Sequence, residues 1–277
     1  MSRAGTEVLL KECLKDLRLP TMMRELPECA RQARERGDAH EAFLLELATR
    51  ELERRCANRL KRRLAEARFP SLKTLEETDL KRWPGLDAAK VAELASCEYV
   101  SRRENLVFAG RHGSGKTHAA VALGVEACRK NHSVLFATAG HLVNRLLEAR
   151  EEKALERFLA RVNRIELLIV DELGYIPFST TGAQLLFQIF ADRYERASTL
   201  VTTNLAFADW TKVFGEASLT AALLDRLTHR CHIHQFDWES LRLADSLKGH
   251  GRKGENRAVP GTAGPQAGRK HKDRAQG

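Results

Sequence analysis

Residues 108 to 120 read "FAGRHGSGKTHAA", and this stretch decides how the rest of the chain is interpreted. The run from Gly110 to Thr117 fits G-x-x-x-x-G-K-[ST], the pattern of a phosphate-binding loop. The strand-like run "NLVFA" precedes the loop and the helical run "THAAVALGVEACRK" follows it. Glycines let backbone N–H groups turn toward phosphates, and the helix N-terminus adds partial positive charge. The stretch therefore predicts a nucleoside triphosphate site.

The loop also predicts which groups hold the nucleotide and its metal. Lys116 is expected to reach the β- and γ-phosphates of ATP, and the hydroxyl of Thr117 is expected to bind Mg²⁺. The residues predicted to bind the nucleotide are Gly110, Arg111, His112, Gly113, Ser114, Gly115, Lys116, Thr117 and His118.

A second apolar run, "IELLIVD" at residues 165 to 171, ends in Asp171, and Glu172 follows. A strand would carry both carboxylates to the carboxyl edge of a sheet, where open α/β folds bind ligands. Asp171 is expected to hold Mg²⁺ through water, and Glu172 to polarise the attacking water. The adjacent pair favours a hydrolase over the alternative, a small-molecule kinase.

Two residues further along are weaker candidates. Asn204 ends the run "STLVTTN" and would orient the water or touch the γ-phosphate, although asparagine at a strand end is usually a turn former. Arg226 lies near the end of a helix predicted to begin at Ser218. Taken alone, Arg226 reads as a helix-end cation. If protomers pack side by side, it would reach the neighbour's γ-phosphate as an arginine finger.

The spacing of apolar runs predicts the fold class. Strand-like runs at 105–109, 133–139, 165–171, 198–204 and 231–236 alternate with helical stretches. Alternation of this kind predicts an α/β fold, a five-stranded parallel sheet flanked by helices.

Residues 6 to 66 instead carry apolar residues at three- and four-residue steps, which predicts a small all-α unit. Its last helix is expected to begin at Asp38, with Glu41 completing a capping box. These patterns predict three parts: a helical domain at 1–66, a nucleotide-binding domain at 67–247 and a basic tail at 248–277.

The charge distribution raises the question of a nucleic-acid partner. The formal net charge is +9, and the tail at 248–277 is expected to be disordered because it nearly lacks large apolar residues. The tail fits a solubilising end as well as nucleic-acid contact. Six cations lie close together on the last helix of the N-terminal unit: Arg54, Arg55, Arg59, Lys61, Arg62 and Arg63. They predict either a solvated helix face or contact with DNA phosphates.

The six cysteines form no C-x-x-C pair, so reduced structural thiols are expected. No N-terminal leader pattern and no apolar stretch approaching the length of a membrane span is evident. The sequence therefore predicts a soluble, cytoplasmic protein with no membrane partner.

Four motifs follow one another along the chain: "GRHGSGKTHAAVALG", "LLIVDELGYIP", "LLFQIFADRYERASTLVTTNLAFADW" and "LLDRLTHR". The set resembles the IstB-like ATP-binding proteins, helper ATPases of bacterial insertion-sequence transposition, from about residue 8 to 245. These are AAA+ P-loop proteins related to DnaC-type helicase loaders. The resemblance implies a homo-oligomer that binds ATP and Mg²⁺, deforms duplex DNA and presents it to the transposase of the same insertion sequence. A replicative helicase loader is the alternative.

The resemblance also implies residue roles: Lys116 and Thr117 on nucleotide and Mg²⁺, Asp171 and Glu172 as metal-holding and catalytic acids, Asn204 as sensor, and Arg226 as trans-acting finger. The chain departs from the family at two places. His112 stands where proline is common, which should be tolerated because variable loop positions contribute backbone. Trp238 begins "WESLRL" where the family reads Gly-x-Ser-Tyr-Arg-Leu, so Arg242 is given no role.

Overall fold

A five-stranded parallel sheet forms the centre of the molecule, as the sequence predicts. The structure, a computed structural model, describes residues 3–78, 83 and 85–238, so the predicted tail at 248–277 lies outside the described residues. The strands are β1 (Asn105–Gly110), β2 (Val134–Thr138), β3 (Leu167–Leu173), β4 (Ser198–Thr203) and β5 (Cys231–Phe236). Their order in the sheet is β2-β3-β4-β1-β5.

Helices precede the sheet and cover both of its faces. Before it lie α1 (Arg3–Asp16), α2 (Pro20–Arg36), α3 (His40–Ala67), α4 (Ala88–Ala95) and the single turn α5 (Glu98–Ser101). Between the strands lie α6 (Lys116–Arg129), α7 (Ala139–Glu151), α8 (Leu155–Asn163), α9 (Thr180–Arg193), α10 (Thr211–Phe214) and α11 (Ala217–Thr228).

Alternating side chains of each strand divide the core in two. Leu106 and Phe108 of β1 pack on one face with α4 and α6, whereas Val107 and Ala109 pack on the other with α7, α8, α9 and α11. Because both faces are covered, the strands read as nearly continuous apolar runs. On the α6 side, burial raises the pKa of the Cys128 thiol to about 12, so it stays protonated at neutral pH.

The N-terminal helices pack around a small core of their own, Leu14, Met22, Cys29 and Leu47. Buried Glu51 of α3 closes this unit, because its carboxylate accepts from the backbone N–H groups of Thr21 (2.8 Å) and Met22 (2.9 Å) at the start of α2. These bonds satisfy donors that a helix N-terminus leaves free.

The predicted start of α3 at Asp38 is wrong. The helix begins at His40, with Ala39 as its N-cap and no capping side chain. Gly37, at φ 71°, ends α2 in the left-handed conformation, and Arg36 then holds the Asp38 carboxylate at 2.8 Å. Because Ala39 and not Asp38 is the N-cap, the predicted capping box does not form.

α3 also crosses the predicted boundary at residue 66. Its final residue, Ala67, is fully buried in the core on the α6 side of the sheet, and Leu60 and Leu64 pack against that core. One helix therefore belongs to the helical unit at its start and to the sheet domain at its end, and the division at 66 stays a prediction.

Arg193, at the end of α9, is hydrogen-bonded to the end of α8, to the segment that follows α8 and to the start of β4. The residue is 2 % exposed, and its guanidinium donates to the carbonyls of Val162 (3.0 Å), Ile165 (2.8 Å) and Ser198 (2.6 Å). Burial lowers the pKa of Arg193 to about 10, so the side chain remains charged at neutral pH.

We expect Arg193→Met to lower the free energy of unfolding by roughly 3 kcal/mol, because three carbonyls, two of them in buried hydrogen bonds, lose their donor. Urea denaturation measures the change, and Arg196→Met, three residues along at an exposed position, is the matched control. Equal stability of the two variants would contradict a structural role for the Arg193 hydrogen bonds.

Candidate functional site

The phosphate-binding loop joins β1 to α6, and its conformation depends on glycine. Gly110, Gly113 and Gly115 have φ of 143°, 77° and 97°. A Cβ on Gly110 would lie 2.3 Å from the carbonyl oxygen of Phe236, so the approach of β5 excludes any side chain there. Lys116 begins α6, and its Nζ donates to the carbonyls of Gly110 (2.8 Å) and Arg111 (2.7 Å).

Beside the loop, Asp171 is held by two hydroxyls. Thr117 Oγ1 donates to its carboxylate at 2.9 and 3.1 Å, and Thr202 Oγ1 of β4 donates to Oδ1 at 2.5 Å. Asp171 is 3 % exposed, so these bonds fix it inside the protein. Thr117 and Asp171 together form an oxygen donor set of the kind that Mg²⁺ prefers.

Glu172 differs from Asp171 in conformation and exposure. Both residues lie inside β3, whereas the sequence predicts a strand that ends at Asp171. The pairing of β3 with β4 shifts register between Val170 and Leu173, and Glu172 has φ 57° there. Its backbone N–H donates to Thr202 Oγ1 at 2.9 Å, while its side chain is exposed. At this irregular point of the strand the Asp171 carboxylate is buried and the Glu172 carboxylate is exposed.

A cleft of about 320 Å³ joins these groups. Its predicted lining residues are His112, Gly113, Gly115, Lys116, Thr117, His118, Glu172 and Asn204. Pro70, Ser71, Lys73, Val121, Thr202 and Thr203 complete the wall and are not among the predicted site residues. The segment from Pro70 to Lys73 lies between α3 and α4, and its two polar side chains, Ser71 and Lys73, match no sequence motif that would indicate a site.

Three predicted loop residues contribute in other ways than lining the cleft. Gly110 and Arg111 supply the carbonyls that hold Lys116. Ser114 is fully buried, and its carbonyl accepts from the indole N–H of Trp238 at 2.9 Å. The segment after β5 therefore supports the phosphate-binding loop from outside.

Arg226 does not line the cleft of its own chain. It lies on α11, where its Nη1 donates to the carbonyl of Ala222 at 2.9 Å and its guanidinium stands 5.1 Å from the ring centre of Phe187. The arrangement holds the side chain half-buried on α11.

The six predicted DNA-binding cations on α3 divide into two groups. Arg55 is committed to the protein, because it donates to Glu51 (2.8 Å) and to the carbonyl of Arg18. Arg63 is half-buried. The remaining four are exposed: Arg54, Arg59, Lys61 and Arg62. Among these four, and within the described residues, only Arg62 forms an ion pair, with Glu66 at 3.9 Å.

A phosphate-binding loop between β1 and α6, an acidic pair on β3 and the strand order β2-β3-β4-β1-β5 define an ATP-binding P-loop protein of the AAA+ class. The chain belongs to the family of IstB-like ATP binding proteins, whose family model matches residues 12–249. None of the helices in the part of the chain that the structure describes has the length and apolar character needed to cross a membrane.

Similar proteins agree with this assignment. A Pseudomonas aeruginosa protein named as an ATP-binding protein of insertion sequence IS21 is 37% identical over 86% of this chain and 90% of its own length. The crystal structure of DnaI has a TM-score of 0.50 at 19% identity, covering 59% of this chain and 90% of DnaI. AMPPCP-bound DnaA from Aquifex aeolicus has a TM-score of 0.53 at 17% identity, covering 68% and 57%. The two structures show likeness of fold.

Proposed function

We propose that this protein is an ATP-hydrolysing, DNA-binding helper of transposition. It assembles as an ATP-bound homo-oligomer on duplex DNA, deforms the duplex and recruits the transposase of the same insertion sequence, and hydrolysis resets the assembly. The observation that carries the proposal is the pair of carboxylates at the cleft, with Asp171 fixed by Thr117 and Thr202 and Glu172 exposed. Family membership supplies the insertion-sequence context.

The residues divide the chemistry of hydrolysis between them. Lys116 exchanges its bonds with the loop carbonyls for the β- and γ-phosphates, and the N–H groups at the start of α6 bind phosphate oxygens. Thr117 and Asp171 would hold Mg²⁺, which supplies charge neutralisation for the phosphates. Glu172 takes a proton from the attacking water, which Asn204 helps to orient.

The proposed homo-oligomer is supported by Arg226, which does not line its own cleft and would act as an arginine finger only in the cleft of a neighbouring protomer. An arginine that reaches another protomer's γ-phosphate keeps the single protomer nearly inactive and couples turnover to assembly. The proposed site of action is the cytoplasm, where duplex DNA and ATP are both present.

We propose that α3 contacts DNA through the phosphates. Its four exposed cations can each neutralise a phosphate, and we expect these sequence-independent contacts to dominate, so binding should vary little with sequence and selectivity would come from how easily a site bends. Each protomer offers only a few contacts. An ATP-assembled oligomer sums them, so tight binding should require ATP.

The triple variant Arg54→Gln, Arg59→Gln, Arg62→Gln is expected to weaken binding by a similar factor on unrelated duplexes. The slope of log K against log salt should flatten by about 0.9 for each phosphate that the variant no longer neutralises. Fluorescence anisotropy at several salt concentrations, with and without ATP, measures both quantities.

The matched control for this variant is Arg24→Gln, Arg31→Gln, Arg34→Gln on α2. It removes the same charge, but Arg24 and Arg31 already pair with Glu25 and Glu28 at 2.8 and 2.6 Å. An unchanged affinity and slope in the α3 variant, with ATP turnover intact, would show that the α3 cations form only a solvated face.

A strand-transfer assay tests the proposed function as a whole. The transposase of the same insertion sequence is given target DNA with the wild-type protein, with Lys116→Ala, or without a helper. We expect ATP-dependent stimulation by the wild type alone. Capture of a replicative helicase in place of the transposase, with no effect on strand transfer, would favour a helicase loader.

A further inference from the structure

Three side chains from different elements meet at the mouth of the nucleotide cleft. His112 lies in the phosphate-binding loop, Asn204 follows β4, and Tyr175 lies in the segment between β3 and α9. The Nδ2 of Asn204 is 2.8 Å from Nε2 of His112, and the rings of His112 and Tyr175 stand edge to face with centroids 5.9 Å apart. His112 and Asn204 both line the cleft, as does the proposed base Glu172.

The hydrogen bond constrains both partners. With the Asn204 amide nitrogen facing the ring, the imidazole accepts through Nε2 and carries its proton on Nδ1. One amide hydrogen of Asn204 is then engaged, which fixes the plane of the amide and the direction of its second hydrogen and its oxygen. Without such a bond the amide would rotate freely and would have to be ordered at the moment of reaction, at an entropic cost. The bond to His112 orders the amide beforehand.

We propose that His112 is a positioning residue for ATP hydrolysis: it holds the Asn204 amide in the orientation needed at the γ-phosphate, and Tyr175 steadies the imidazole. The inference rests on the proposed ATPase function and deepens it. From the sequence, this loop position is expected to contribute only backbone, and the contact with Asn204 instead gives its side chain a partner in the cleft.

The contact is distinct from those that bind the nucleotide. Lys116 and the loop N–H groups hold the phosphates, whereas His112 acts on a group that orients water. Loss of the side chain should therefore lower kcat and leave KM for ATP nearly unchanged, as expected when an interaction matters in the transition state.

The first test compares His112→Ala with His112→Gln in steady-state ATPase assays on the assembled protein. His112→Ala should reduce kcat about three- to tenfold, the loss of one hydrogen bond, with KM within about twofold of wild type. Gln offers an amide oxygen that can accept from Asn204, so His112→Gln should recover most of the rate. A kcat that is unchanged in His112→Ala, or a rise in KM alone, would overturn the proposal.

A double-mutant cycle then tests whether His112 acts through Asn204. The variant lacking both side chains should be no slower than Asn204→Ala alone, whereas independent roles would multiply the two losses. Tyr175→Ala should lower kcat by a smaller factor than His112→Ala. Ile176→Ala is the matched control in the same segment, since Tyr175 and Ile176 are 63 % and 60 % exposed. Multiplying losses, or an equal effect of Ile176→Ala, would contradict the proposal.

Imidazole ¹⁵N chemical shifts provide a readout that needs no turnover. The signal of His112 should show the Nδ1-protonated tautomer in the wild type and should change in Asn204→Ala. A wild-type protein that hydrolyses no ATP would sink the proposed function, and the shifts would still decide whether the two side chains are bonded. An identical His112 signal in both proteins would overturn the pairing itself.

Discussion

Lys116→Ala is expected to abolish ATP binding, whereas Glu172→Gln is expected to keep ATP binding and stop hydrolysis. Lys116 is the buried cation of the phosphate-binding loop, and its loss removes the charge that offsets the phosphates. Glu172 has an exposed side chain, and Gln keeps its shape while removing the base. Loss of a general base lowers turnover by about 10²- to 10⁴-fold.

Isothermal titration measures ATP binding and phosphate release measures turnover. Lys130→Ala, at an exposed position just after α6, is the matched control for loss of a lysine near the same helix. If Glu172→Gln and Lys116→Ala lost ATP binding equally, the assignment of Glu172 as the base would be wrong.

Mixing two inactive variants, Arg226→Ala and Lys116→Ala, is expected to restore part of the ATPase activity. An arginine finger contributes about 10³- to 10⁵-fold in rate, so Arg226→Ala alone should be nearly inactive. Lys116→Ala alone should be inactive because it does not bind ATP. In a mixed assembly, some clefts have Lys116 from one protomer and Arg226 from its neighbour. The position of Arg226 outside its own cleft motivates the expectation.

The control mixture is Lys116→Ala with Glu172→Gln. Both changes affect residues that line the same cleft, so a protomer with an intact cleft never forms in that mixture, and it should stay inactive. Native mass spectrometry confirms that mixed oligomers form. Recovery in neither mixture, with mixed oligomers present, would count against a trans role for Arg226.

The features that the sequence predicts well are those encoded locally. The strand, loop and helix around Lys116 follow from a pattern of glycines flanked by apolar runs, and β1 to β4 follow from apolar runs that are mostly buried. β5 lies at the edge of the sheet and is only partly buried. The Asp171 and Glu172 pair is predicted near the end of a strand because it follows an apolar run, although the strand continues past the pair to Leu173.

The features that the sequence does not reveal depend on pairings between distant residues. Glu51 stabilises the start of α2 about thirty residues away, and Trp238 reaches the phosphate-binding loop from beyond β5. His112 and Asn204 are separated by 92 positions, so no local pattern joins them. Such pairings are decided by the folded chain as a whole.

The continuity of α3 gives the molecule a lever arm. Its 28 residues form one rod, about 42 Å long at the usual rise of an α-helix. The last two turns of the rod, from Leu60 to Ala67, pack on the core of the sheet, and Ala67 lies three residues before Pro70 enters the wall of the nucleotide cleft. About 30 Å of the rod extends beyond this packed end, so a tilt of about 10° there would sweep the opposite end through about 5 Å, by the geometry of a rod of this length. Small adjustments beside the phosphates would thus be magnified into larger displacements of the helical unit.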